Sequence, residues 1–248
     1  MAKQGEIDYI ENIGVDGMRH ALNKPFSDPR CGLYFMDLGV LFSLLPAPPA
    51  RLLDLGTGTG WTSVLFAQKG YDVVGQDIAP AMIDLAHKNQ ENSGLPNMSF
   101  IISDYESLGM EEQFDCAVFY DSLHHAVDEE SALRGVYRAL KPGGVCITVE
   151  PGKGHHLAKD SLNAVQAYGV TEKEMPPHHI IQTAQQVGFS RAKVYQRRFE
   201  PALVFDTNPP GIMEHLLKVL PDILYVSRLF RRSRKLLNRS NIVVLYKP

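Results

Sequence analysis

The chain has 248 residues, 44% apolar and 21% charged, with a formal charge of −3, a length that supports one globular domain with room for a cap. Seven basic residues and no acidic one follow Asp222, so residues 223–248 carry +7 against −10 for the remainder. A body that acidic excludes an enzyme wrapped around duplex nucleic acid, and no nucleic-acid partner is expected.

Residues 1–50 show helical patterns that end at a PAPPA linker and read as an N-terminal helical cap. From Arg51 the pattern alternates strand and helix, which implies an α/β fold with a mostly parallel sheet covered on both faces. Strands are expected at 51–55, 71–77, 99–103, 114–120 and 145–150. A helix follows the glycine-rich turn after the first strand. A second spans 79–92, with Pro80 in the first turn where its missing N–H costs nothing. A third spans 128–140 and stops before KPGG. Residues 151–175 are rich in glycine and histidine before becoming polar and helical, and a helix over 177–187 ends at Gly188. Strands at 191–199 and 241–246 close the pattern. The stretch 200–240 is too long for a bare loop and reads as a helical cap inserted between them. The core is then 51–199 with 241–248.

Cys31, Cys116 and Cys146 are odd in number and widely spaced, which fits buried thiols in a reducing compartment better than a disulfide frame. The first residues carry acids where a secretory signal has its apolar core, and no run approaches the ~18 apolar residues of a membrane span. A cytoplasmic location is the expectation.

The most informative stretch is LLDLGTGTG at 52–60. Glycines let a backbone pass close to a ligand, and the helix that follows presents free N–H groups. The glycines are Gly56, Gly58 and Gly60, with Trp61 next, so the dinucleotide spacing G-x-G-x-x-G fails at its third glycine and disfavours a nicotinamide cofactor. Asp77 ends the second strand 19 positions after Gly58, where a carboxylate accepts both hydroxyls of a ribose. Asp104 follows the third strand within SDYE, within reach of an adenine amino group. Together these acids fit an adenosine ligand without phosphates.

With DLGTGTG at 54–60, Asp77, Asp104 and FDCAVFYDSLHH…LKPGGVCITVEP at 114–151, the chain resembles the class I S-adenosylmethionine-dependent methyltransferases. The resemblance implies a seven-stranded, mostly parallel Rossmann-like sheet whose last strand is antiparallel. It implies S-adenosylmethionine as cofactor and S-adenosylhomocysteine as product. Asp54, Gly56, Gly58 and Gly60 would hold the methionine end, Asp77 the ribose and Asp104 the adenine, with Ile78, Tyr105 and Tyr120 completing the set. Tyr9 and Tyr34 are further candidates for contact with a sulfonium or an adenine ring.

Nine histidines include three adjacent pairs, 124–125, 155–156 and 178–179, where chance predicts fewer than one. The first two pairs follow neighbouring strand tips on the side where open parallel sheets bind ligands, and read as a histidine-lined acceptor pocket. S-L-H-H after the fourth strand, with an acid at the tip of the fifth, also resembles small-molecule O-methyltransferases of the sugar and natural-product kind. By that resemblance His124 is the first choice of general base, His125 the second, and Glu150 the orienting carboxylate. No metal is expected, although the paired histidines with Asp121 or Glu150 form a ligand set that a chelator would test.

The function implied is methyl transfer to a small-molecule acceptor at a hydroxyl. The alternatives are C- or N-methylation of a metabolite, or a non-catalytic cofactor-binding module. Six basic residues between Arg228 and Arg239 suit a cap helix with a solvated face, or peripheral contact with an anionic membrane or a phosphorylated substrate.

Overall fold

The computed structural model describes residues 2–197 and 240–248. The expected insertion at 200–240 and the basic segment 228–239 thus lie outside the described residues, apart from Ser240. Three helices come first, α1 (Ala2–Asn12), α2 (Gly14–Leu22) and α3 (Cys31–Leu44). The core follows with β1 (Arg51–Leu55), α4 (Trp61–Lys69), β2 (Asp72–Asp77), α5 (Pro80–Ser93), β3 (Met98–Ile102) and β4 (Phe114–Tyr120). It continues with α6 (Glu129–Ala139), β5 (Leu140–Glu150), α7 (Lys159–Tyr168), α8 (Pro177–Val187), β6 (Arg191–Gln196) and β7 (Asn241–Tyr246).

The seven strands form one sheet in the order β3-β2-β1-β4-β5-β7-β6. β1 to β5 pair in parallel, and β7 runs antiparallel to both β5 and β6. The order reverses between β1 and β4, and such a switch point leaves a crevice at the carboxyl ends of the strands. β1 shows why the sheet is covered twice. Leu53 and Leu55 join an apolar cluster with Leu133, Val136, Ile180 and Ala184 of α6 and α8. Leu52, on the opposite face by the two-residue period of a strand, joins Leu41, Phe66 and Ile83 of α3, α4 and α5.

Three boundaries differ from the sequence expectation. β5 begins at Leu140 rather than 145: Leu140 pairs with Phe114 and Val145 with Cys116, and KPGG between them bulges out of the ladder with Gly143 at φ +77°. α6 starts where Asp128 accepts the N–H groups of Glu130 and Ser131, a side-chain cap. Strand pairing in β6 ends at Gln196. Among the described residues no helix is long and apolar enough to cross a membrane.

Candidate active site

The loop after β1 is built by glycines in a left-handed backbone. Gly56, Gly58 and Gly60 have φ of 66°, 55° and 74°, a region costly for residues with a Cβ. A Cβ at Gly56 would also stand 2.6 Å from that of Ser122. Asp54 is the loop's buried anchor. Its Oδ2 accepts the hydroxyls of Thr57 at 2.9 Å, Thr62 at 2.7 Å and Ser63 at 2.7 Å. Burial pushes its carboxyl up and the three hydroxyls oppose that. Asp77 braces the loop from β2, accepting the Gly58 N–H at 2.8 Å on Oδ2 and the Ala79 N–H at 3.0 Å on Oδ1.

A cavity of about 570 Å³ opens over this loop. Gly56, Gly58, Asp77, Ile78, Tyr105 and Tyr120 stand in its wall, as the sequence reading expected of cofactor contacts. Three expected residues, Asp54, Asp104 and Gly60, are outside that wall. Asp54 sits behind the loop, spent on the three hydroxyls, and Asp104 is taken by Lys3 Nζ and by the Glu106 N–H at 2.9 Å. Gly60 packs its Cα side toward Phe100 and Ala86 at the start of α4. Trp61, Tyr34 and Tyr120 line one side of the cavity with ring centroids 5.5 to 6.3 Å apart, an aromatic wall able to hold a cation. The cap closes the other side with Glu6, Tyr9 and Ala21, and Thr59 Oγ1 donates to the Ala21 carbonyl at 2.9 Å.

A second cavity, about 690 Å³, adjoins the first and shares Lys24, Tyr34, Asp121 and Glu172 with it. His124 and His155 line this one, whereas His125 lines the cofactor-side cavity. Glu150, fully buried at the end of β5, organises the turn. Its Oε1 accepts the N–H groups of Ser122 at 3.1 Å and Leu123 at 2.8 Å. Its Oε2 meets Nδ1 of His124 at 2.7 Å. Burial, with the charge of Asp121, pushes the Glu150 carboxyl up, and the amide donors pull against it. Burial and the His125 ring hold the His124 imidazole below its ordinary range, so the ring stays neutral. With Glu150 ionised, its carboxylate accepts from Nδ1–H and Nε2 keeps its lone pair.

His125 is fixed differently. Its Nδ1 donates to the Thr171 carbonyl at 2.6 Å and lies 3.5 Å from Glu6 Oε1. Burial opposes protonation there, but Glu6 and Glu172 outweigh it and push the imidazole up to about 9. His155 Nε2 bonds Glu172 Oε2 at 2.6 Å. Of the three histidine pairs, then, the fold gathers His124, His125 and His155, while His156 faces Glu174 and His179 faces Glu129.

Asp121 entered the sequence reading only as a possible metal ligand, and Asp37, Arg197, Glu172 and Lys24 did not enter it at all. Asp121, at the tip of β4, adopts φ +48° although it is not glycine. Arg197 holds it with two bonds of 3.0 Å, and also bonds Asp37 Oδ2 at 2.8 Å, which in turn accepts the Tyr120 hydroxyl at 2.9 Å. Glu172 and Lys24 fall in stretches whose pattern is only polar. The run YDSLHH was the one hint that Asp121 belonged here.

Sheet order, glycine loop and the crevice above it define the Rossmann-like fold of class I methyltransferases. Residues 53–148 match the family described as a methyltransferase domain. The chain is similar to demethylmenaquinone methyltransferase of Thermus thermophilus, 35% identical over 116 residues, covering 44% of this chain and 52% of the relative. It is similar to the ubiquinone/menaquinone biosynthesis C-methyltransferase UbiE of Pectobacterium carotovorum, 33% identical over 108 residues, covering 42% and 43%. The chain thus spans about half the length of the curated relatives it matches. Its fold is that of phosphoethanolamine N-methyltransferase 2 of Haemonchus contortus, solved with phosphomonomethylethanolamine and S-adenosylhomocysteine. That likeness has TM-score 0.68 and 20% identity, over 100% of this chain and 61% of the other.

Proposed function

We propose that this protein is an S-adenosylmethionine-dependent methyltransferase that methylates a hydroxyl of a small molecule. The observation that carries the reading is the adjacency of two cavities: the glycine-loop cavity shares Lys24, Tyr34, Asp121 and Glu172 with a second one, which is lined by His124 of a buried histidine–glutamate pair. The first cavity has the size of a small-molecule site, and its donors fit the cofactor. All of these line that cavity: Asp77 is read as the ribose contact, Ile78 and Tyr105 as the adenine contacts, and Tyr34, Trp61 and Tyr120 as the wall for a positive sulfonium. When bound, the cofactor supplies an electrophilic methyl group.

The chain's own part is positioning and proton removal. The second cavity seats the acceptor hydroxyl toward Nε2 of His124. As the oxygen–carbon bond forms and the carbon–sulfur bond breaks, that nitrogen takes the hydroxyl proton. Glu150 holds the ring through Nδ1 and balances the imidazolium that results. Alignment of the two reacting groups supplies much of the rest.

C-methylation is the second reading, favoured by the likeness to a C-methyltransferase. The basic segment 228–239 is proposed to contact a phosphorylated acceptor or an anionic membrane, which liposome co-sedimentation at low salt tests. The deciding experiment is a screen of candidate acceptors with labelled cofactor, followed by mass location of the methyl group. A methyl on oxygen supports the first reading, and one on carbon the second. No calorimetric binding of S-adenosylhomocysteine would sink both.

A further inference from the structure

The wall between the two cavities holds more than a base. One ring nitrogen each of His124 and His125 and a carboxylate oxygen of Glu172 lie within 4.8 Å of one another. His124 Nε2 and Glu172 Oε2 are 3.8 Å apart. For zinc bonds of about 2.0–2.1 Å in a tetrahedral site, ligand atoms stand roughly 3.3 Å apart, so rotations moving each atom by less than about 1 Å close the set.

Each of the three residues is also held by a hydrogen bond, Glu172 through the same Oε2 that faces His124. His124 gives Nδ1 to Glu150 at 2.7 Å, and His125 gives Nδ1 to the Thr171 carbonyl at 2.6 Å. Glu172 is gripped by His155 at 2.6 Å. Imidazoles anchored through one nitrogen to a carboxylate or a carbonyl orient the other for a metal, and His125, which Glu6 and Glu172 keep protonated, ligates by releasing its second proton as the metal binds. The set faces open space on both sides, since His124 and Glu172 line the second cavity and His125 and Glu172 the first. A metal here would have three protein ligands and room for water or substrate in a further position.

We propose that His124, His125 and Glu172 form a site for a divalent transition metal of the zinc, cobalt or nickel type, whose occupation takes Nε2 of His124 and so silences the base. Two imidazoles and one carboxylate suit these ions better than magnesium or calcium, which prefer oxygen ligands. His155, bonded to Glu172, is a positioning residue for the site. The blocking role rests on the function proposed above, whereas metal binding does not.

The test uses Co²⁺ as probe, titrated into full-length protein freed of metal with a chelator and dialysed. The expected result is one tightly bound Co²⁺ with the visible absorption of a low-coordinate site, displaced by Zn²⁺. Glu172→Gln should abolish that absorption, and His155→Asn should weaken binding by about 10-fold or more. Unchanged near-ultraviolet circular dichroism shows that both variants fold. Absence of a stoichiometric Co²⁺ spectrum in the unaltered protein overturns the site, whatever S-adenosylhomocysteine does in a parallel calorimetric titration. With an acceptor in hand, Zn²⁺ should lower turnover and a chelator restore it. Turnover that rises with Zn²⁺ overturns the blocking role.

Discussion

Glu150 Oε2 lies 2.7 Å from Nδ1 of His124, and the other oxygen of the same carboxylate accepts the backbone N–H groups of Ser122 and Leu123. One buried acid therefore both shapes the turn after β4 and fixes the tautomer of the histidine on it. Glu150→Gln keeps the size but sets an NH₂ group against a donor. The expected cost is about 1–3 kcal/mol of stability, because a buried donor is left unpaired. Turnover should fall as well, since the ring loses its orienting anion. Chemical denaturation and an acceptor assay read the two effects. A variant as stable and active as the parent removes Glu150 from this role.

His124→Ala takes away the proposed base and leaves the glycine loop, Asp77 and the aromatic wall in place. Turnover on a hydroxyl acceptor should drop by about 100-fold or more. Affinity for S-adenosylhomocysteine, measured by calorimetry, should hold within a few-fold. Near-parental turnover would show that another group removes the proton.

Asp77 accepts from Gly58 and Ala79, so its two oxygens tie the glycine loop to the start of α5. In Asp77→Asn the amide nitrogen must face one of those N–H groups. The loop loses one bond to a charged acceptor, and the ribose loses a carboxylate. Together these are worth about 1.5 kcal/mol or more, so affinity for S-adenosylhomocysteine should weaken by about tenfold or more. Equal affinities would place the ribose elsewhere.

The strands that carry the cofactor side were legible because each is an apolar run ending in a residue with a reason to be there. β1, β4 and β7 have the expected bounds, and Gly56, Gly58 and Asp77 meet at one cavity. The acceptor side was half legible. The pairs at 124–125 and 155–156 follow neighbouring strand tips and bring His124 and His155 to one cavity, but Glu172 owes its place there to the path of the chain between α7 and α8. Nor does a strand pattern reveal that Arg197 meets Asp37, 160 positions away, because long-range ion pairs leave no period in a sequence. The two acids whose placement differs, Asp54 and Asp104, stand at the expected strand tips. What the pattern could not show is which partners these acids take: three hydroxyls on Oδ2 of Asp54, and Lys3 with the Glu106 N–H on Asp104.

Arg197 is the cation that makes this part of the wall stable. Its side chain is 10% exposed and that of Asp37 only 3%, so the pair is effectively dry. Arg197→Met would leave Asp37 buried without its cation and release the left-handed Asp121. Breaking a buried pair by removing one partner costs about 3–5 kcal/mol. The double variant Arg197→Met with Asp37→Leu should recover part of that loss. Denaturation midpoints of the three proteins decide it, and a single variant within about 0.5 kcal/mol of the parent would refute the account.

Asp28 offers a pH signature on the cap. Its carboxylate accepts the Arg30 N–H at 2.7 Å and the Tyr34 hydroxyl at 2.9 Å. Burial works against ionisation, but these bonds and the charge of Arg30 outweigh it and hold the carboxyl below its ordinary value. A folded-state value lower than the unfolded one adds stability that is fully present above the unfolded pKa, about 4. That stability fades as pH falls through the lower folded value. Asp28→Asn should therefore be less stable than the parent at pH 7, by about 1 kcal/mol. The gap should close as the pH is lowered toward about 2, where the parent's carboxyl is protonated too. Urea denaturation of both proteins along that pH series gives the curve, and a gap that stays constant to the acid end would mean that Asp28 acts by shape and not by charge.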